Sequence, residues 1–96
     1  MKVVISKSTR PEKRLMAKFE GRTVHFGQRG AKTFVDHKDE EVKRAWEARH
    51  RVRENWRDFD SAGALSKHLL WSKRSVSASV KALNARQKQY DFVYSR

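Results

Sequence analysis

Residues 14–26 read RLMAKFEGRTVHF, and their periodicity decides the fold class. Leu15, Ala17 and Phe19 alternate with Met16, Lys18 and Glu20, and after Glu20-Gly21 the alternation resumes with Val24 and Phe26 against Thr23 and His25. A period of two on both sides of a glycine predicts a β-hairpin. Gly21 supplies the positive φ that a two-residue turn wants, although Glu-Gly is a weaker signal than Asn-Gly. The loop 27-GQRG-30 follows, and Lys32-Thr33-Phe34-Val35 reads as a third extended piece.

Beyond the hairpin the period changes to that of a helix. In 39-DEEVKRAWEARHRVRENW-56, Val42, Ala45, Trp46, Val52 and Trp56 recur on one face. Asp39 or Asp36 can cap this helix, and Glu40 and Glu41 suit its positive end. After the loop 57-RDFD-60, Asp60 or Ser61 caps a second helix, about 61–72, with Ala62, Ala64, Leu65, Leu69, Leu70 and Trp71. It is apolar nearly all round, so it is expected at the centre, with Ala62-Gly63-Ala64 permitting close backbone approach. Ser75 caps a third helix, about 76–88, with Val76, Val80 and Leu83 inward. The expected fold is therefore α+β: an N-terminal antiparallel hairpin or three-stranded sheet, followed by three helices. Residues 14–88 form the compact domain. Residues 1–13 read as an N-terminal arm in which Val3-Val4-Ile5 is an edge strand or a sticky patch. Residues 89–96 read as a tail or a short last strand, with Tyr90, Phe92 and Tyr94 alternating.

Composition bounds the function. The chain has 96 residues, enough for one domain. There is no cysteine, so disulfides and thiolate zinc sites are excluded. No apolar run has the ~18 residues of a membrane span, and MKVVISKS is too short in apolar residues for a signal peptide. Lys and Arg number 23 against 11 Asp and Glu, a net charge of +12. Such an excess opposes compaction, and a polyanion relieves it.

The candidate phosphate contacts are Arg29, Lys43, Arg44, Arg51, Lys73, Arg74 and Lys81. Arg44 and Arg51 are seven apart and project from one side of the helix, away from its apolar face. Arg29 sits inside the Gly-x-x-Gly loop, whose backbone N–H groups can approach a phosphate, although two glycines at a strand end are more often a plain turn. Lys73 and Arg74 flank a serine-capped helix start. Arg49 falls within the apolar face, where a guanidinium needs a carboxylate such as Asp60, Asp58 or Asp36. The three tryptophans, at inward positions, belong to the core before they belong to base stacking.

Metal and catalytic readings find little support. His25, His37, His50 and His68 show no i, i+4 ligand pair. Asp36, Asp39, Glu40 and Glu41 could hold a nuclease metal, but a helix start explains them more simply. No nucleotide loop or nucleophile elbow is present. The expectation is a protein without cofactor, small-molecule ligand or membrane, and not an enzyme.

The segments 25-HFGQRGAKTFVDHKD-39, 45-AWEARHRVRENW-56 and 59-FDSAGALSKHLLWSKRSVSASVKAL-83 together resemble a family. It comprises short, basic, functionally uncharacterised proteins of large double-stranded-DNA viruses of algae and amoebae. Ala31 stands where an aromatic is usual, and residues 1–13 and the tail after Leu83 lie outside the match. The resemblance implies a viral setting, in the virion or inside the host cell, and not secretion. With the charge it gives two expectations. The first is a sequence-nonspecific nucleic-acid-binding protein, with DNA favoured over RNA. The second is a minor capsid or assembly protein that docks on neighbouring virion chains through Val3, Val4, Ile5, Tyr90, Phe92 and Tyr94.

Overall fold

The hairpin forms where the alternation places it. In the computed structural model, which describes residues 1–95, β2 (Lys13–Phe19) and β3 (Arg22–Gln28) pair antiparallel across Glu20-Gly21, with Phe19 opposite Arg22. Gly21 takes φ 85°, the positive value the turn requires. Leu15, Ala17, Phe19 and Phe26 are buried on one face.

Ahead of the hairpin lies β1 (Lys2–Lys7), and the last element is β4 (Asp91–Tyr94). The strand order is β3-β2-β1-β4, so β1 is an inner strand, antiparallel to β2 and parallel to β4. The edge-strand or arm reading of residues 1–13 is thereby corrected. Val3 and Ile5 are fully buried, because the sheet supplies a partner on each side. That second partner comes from the far end of the chain, and Val3 faces Phe92 across it.

Four helical segments stand where three helices were expected. Residues 32–35 are not extended, because α1 (Phe34–His37) begins there. Thr33 and Asp36 form a reciprocal capping box, and Lys38 closes the turn in the left-handed region with φ 58°. Local side-chain bonds of this kind outcompete a ladder that has no neighbouring strand to join. Asp39 caps α2 (Glu40–Arg51) by accepting from the N–H groups of Glu41 and Val42. This helix stops five residues short of Trp56. Asn55 accepts from the Arg57 N–H, and its carbonyl accepts from the Asp58 N–H, a local turn that replaces helix. No residue of α2 is buried, and Val42 and Val52 are exposed.

Ser61 caps α3 (Ala62–Leu70) and Ser75 caps α4 (Val76–Arg86), each accepting from the N–H three residues on. The third helix is central as expected: Ala64, Leu65, His68, Leu69 and Leu70 are all buried. Helices α3 and α4 cover one face of the sheet, α3 against β3 and α4 against β4. Phe26, Phe34, Phe92, Leu65, Leu69 and Leu83 fill the space between. Each such side chain contributes about 1.5–3 kcal/mol by leaving water. The alternate row Val93, Val4, Lys18 and Thr23 lies on the opposite face.

The outer edge of β4 is closed by α4. Asn84 Nδ2 donates to the Phe92 carbonyl at 2.8 Å and its Oδ1 accepts from the Phe92 N–H at 2.9 Å. Gln87 makes the same two bonds to Tyr90, at 2.8 and 2.9 Å. These two amides stand where another strand would add.

Candidate nucleic-acid interface

β1 and β4 end, and β2 begins, at one end of the sheet. Strand termini there carry Lys7, Lys13, Arg14 and Arg29, and the entry to α1 brings Lys32 alongside. Four clefts meet at this end. The largest, about 560 Å³, runs between the loop 27–33, α2 and α3, with Lys13, Lys32, Arg49, His50 and Glu54 on its walls and Trp46 and Trp71 beneath. It shares Lys32 with a second cleft of about 310 Å³ that holds Arg14, Arg29 and Asp36. Arg14 and Arg29 also line a third, of about 460 Å³, with Lys7, Leu15, Tyr94 and Ser95. Tyr94 leads on to a fourth, bearing Lys38 and Arg74. Among the described residues the rim thus carries eight lysines and arginines and two carboxylates.

Few of the chain's cations are neutralised from within. Among the described residues, Arg14 pairs with Asp36, Arg22 with Asp60, and Lys67 with Glu47 at 2.8 Å. Arg14 holds both oxygens of Asp36, at 2.6 and 2.9 Å. That guanidinium holds the Asp36 pKa down at about 2; burial opposes the lowering, and the N–H and hydroxyl of Thr33, bonded to the same carboxylate, add to it. Arg29 is held differently. Its Nε and Nη2 donate to the Lys13 carbonyl, at 3.2 and 3.0 Å, and Nη2 also reaches the Ser8 and Arg10 carbonyls at 3.4 Å. Carbonyl oxygens orient the guanidinium and leave its charge intact. Gly27 and Gly30 adopt φ 76° and 91°, which lets the loop fold back so that Arg29 reaches them.

The residues singled out from the sequence divide accordingly. Arg29 and Arg74 are on the rim. Arg44, Arg51, Lys73 and Lys81 are exposed but line none of these clefts. Lys43 is spent on structure: its Nζ donates to the Ser72 carbonyl at 2.8 Å and lies 4.8 Å above the Phe34 ring. Arg49 is a correction. It is exposed on the largest cleft and has no carboxylate partner among the described residues, because Asp36 and Asp60 are taken by Arg14 and Arg22 and because α2 buries no face. Lys7, Lys13, Arg14, Lys32 and Lys38 were not singled out. Their signal was position: each stands at or just beyond the end of a strand or helix, and those ends converge.

The terminal residues expected to dock on partners are used inside the domain. Val3, Ile5 and Phe92 are buried, Tyr90 packs edge-on against Phe19 at 5.2 Å, and Val4 and Val93 face each other across the ladder. Tyr94 lines two of the clefts. The tryptophans stack on one another: Trp46 lies 4.8 Å from Trp71 and 6.1 Å from Trp56, nearly parallel to both, and His50 is 4.3 Å from Trp46. His68 bonds the Trp56 carbonyl through Nε2 at 2.7 Å. Burial lowers its pKa, that bond opposes the shift, and Arg86 and Lys67 add to the lowering. Asp39 is a helix cap and Asp36 is held by Arg14. Among the described residues no three His, Asp or Glu side chains are grouped to hold a metal ion.

No curated protein and no solved structure matches the chain. A family model, described as a family of unknown function (DUF5754), matches residues 3–50, half of the chain. That span contains β1 but for Lys2, all of β2 and β3, the loop 27–33 and nearly all of α2. It also carries every rim cation except Arg74. By this match the chain belongs to the DUF5754 family.

Proposed function

We propose that this protein binds nucleic acid through the phosphate backbone without reading base sequence, as a binding protein and not as an enzyme. The observation that carries the proposal is the run of adjoining clefts at the strand ends, with eight cationic side chains against two carboxylates. Phosphates entering these clefts release condensed counterions, which drives association whatever the sequence. Concave walls with a low dielectric behind them strengthen the field further. We favour DNA over RNA, and a virion or intracellular viral setting, on the resemblance of residues 25–83 to proteins of large DNA viruses. The docking of termini on neighbouring virion proteins has less in its favour, because Asn84 and Gln87 already occupy the outer edge of β4.

Salt tests the proposal. If six to eight rim cations meet phosphates, log K falls against log salt with a slope of about −5 to −7. Affinity for a short duplex, followed by fluorescence anisotropy, then drops about 10³–10⁴-fold between ~50 and ~200 mM salt. Reversing Lys13, Lys32 and Arg49 to Glu should abolish binding. Reversing Arg44, Arg51 and Lys81 changes net charge equally and should cost far less. Equal losses from the two triple variants, or no binding at low salt, would overturn the proposal.

A further inference from the structure

The third cleft differs from the rest of the rim. Lys7 from the end of β1, Arg14 from β2, and Arg29 from the loop after β3 converge on it, with Tyr94 and Ser95 opposite. No carboxylate among the described residues lines it. Both guanidiniums are fixed before any ligand arrives. Arg14 is locked against Asp36 and also donates to Thr33 Oγ1 at 3.2 Å. Arg29 is clamped by three main-chain carbonyls, while its Nη1 has no acceptor among the described residues. Fixed forks lose little side-chain entropy on binding, unlike lysines loose on a surface. Three cations offset by the single carboxylate of Asp36 leave a local charge of about +2. A phosphate diester brings one negative charge, and a phosphate monoester about −1.5 to −2 with three acceptor oxygens.

We infer that this cleft receives a phosphate monoester at the end of a nucleic-acid strand, so that the protein prefers phosphorylated termini to interior backbone. The inference rests on the proposed nucleic-acid binding and adds a terminus preference to it. Arg29 presents Nη1, and Arg14 the guanidinium edge turned away from Asp36, to the terminal oxygens; Lys7 adds a third contact, and the strand leaves past Lys32 toward the largest cleft.

The test compares short single strands of one sequence carrying a 5′-phosphate, a 3′-phosphate or only hydroxyl ends, by competition anisotropy with the full chain. At least one phosphorylated strand is expected to bind about tenfold more tightly than the hydroxyl-ended strand, an increment typical of a few charge-assisted bonds. Lys7→Ala should bring that ratio near one. The Lys7 side chain is exposed and makes no hydrogen bond or ion pair among the described residues, and alanine keeps the backbone pairing with Leu15, so the variant should keep its fold. Arg29→Lys, which keeps the charge but loses the fork, should lower the ratio as well. Ratios near one for both phosphorylated strands would overturn the inference and leave backbone binding standing if the salt slope is steep. A nucleoside monophosphate competing as well as the phosphorylated strand would make the ligand a free nucleotide and overturn it too. If no strand binds at low salt, both proposals fall together.

Discussion

Replacing Gly27 by alanine tests whether the loop that holds Arg29 is shaped by close packing or only by backbone freedom. Gly27 and Gly30 both have positive φ, 76° and 91°. A methyl group at either position costs about 1–2 kcal/mol for the left-handed backbone alone. Their surroundings differ. A Cβ on Gly30 would meet nothing within 4 Å, whereas one on Gly27 would lie 2.7 Å from Leu70 Cδ1 and 3.3 Å from Arg14 Cβ. Neither neighbour can yield easily. Leu70 is fully buried at the end of α3, and Arg14 is tied to Asp36 and Thr33. Overpacking of this kind adds about 1–3 kcal/mol. Gly27→Ala should therefore destabilise the domain by about 2 kcal/mol more than Gly30→Ala. At about 4–8 °C per kcal/mol for a chain of this size, it should melt about 8–16 °C lower than that control. Thermal unfolding followed by circular dichroism, with both variants in the same buffer, measures the gap. Equal melting temperatures would refute the assignment of Gly27 to a packing constraint.

Three further substitutions separate other contacts. Asn84→Ala leaves the Phe92 N–H and carbonyl without their side-chain partners. It is expected to cost about 1–3 kcal/mol in urea unfolding and to open the β4 edge, seen as concentration-dependent self-association in sedimentation. Asp36→Asn removes a carboxylate whose folded pKa, about 2, lies below its ordinary value of 3.8. The stability it confers is present above 3.8 and is lost as pH falls toward 2, so the urea midpoints of wild type and variant should converge over that window and stay apart above it. His68 has its pKa lowered from 6.5 by burial, so its stabilising effect is complete above 6.5 and declines as pH falls below it. The gap between wild type and His68→Gln should shrink as pH falls below 6.5, and a constant gap would show that folding does not shift the His68 titration.

The elements legible in the sequence are those held by local chemistry. The hairpin was visible because Glu20-Gly21 sits between two alternating runs. Helices α3 and α4 were visible because Ser61 and Ser75 precede apolar helical patterns, and both serines cap as read. What was hidden depends on partners remote along the chain. Val3-Val4-Ile5 reads as an arm until Phe92, some 89 residues on, is placed beside it. Residues 32–35 read as strand because Thr33, Phe34 and Val35 favour one. Their fate is settled by Arg14, which reaches over from β2 to lock the Thr33–Asp36 cap. The helix face on α2 misled in the other direction. Its helical spacing is real, but no residue of the helix is buried, and it meets the rest of the protein through partly exposed side chains such as Lys43, Trp46 and Glu47, so Arg49 had no interior to enter. The rim followed the same rule. Lys7, Lys13, Arg14 and Arg29 look unremarkable one by one, and only the sheet brings their strand ends together.

If the protein binds nucleic acid as proposed, its +12 charge should give salt two opposed effects. Without a partner, the rim cations repel one another, and among the described residues only Asp36 and Glu54 stand among them. Added salt screens that repulsion, with a Debye length of about 10 Å at ~0.1 M, so the free domain should gain stability. A bound polyanion supplies the same relief through fixed phosphates, and added salt then removes it by competing for the contacts. Ligand binding stabilises the fold by RT ln(1 + [L]/Kd), which shrinks as Kd rises. The melting temperature of the free protein should thus climb with salt while that of the complex falls, and the two curves should meet. A basic domain whose cations were matched by its own carboxylates would give neither slope. Lys7, Lys32 and Arg49, which have no carboxylate partner among the described residues, are the side chains whose removal should flatten both.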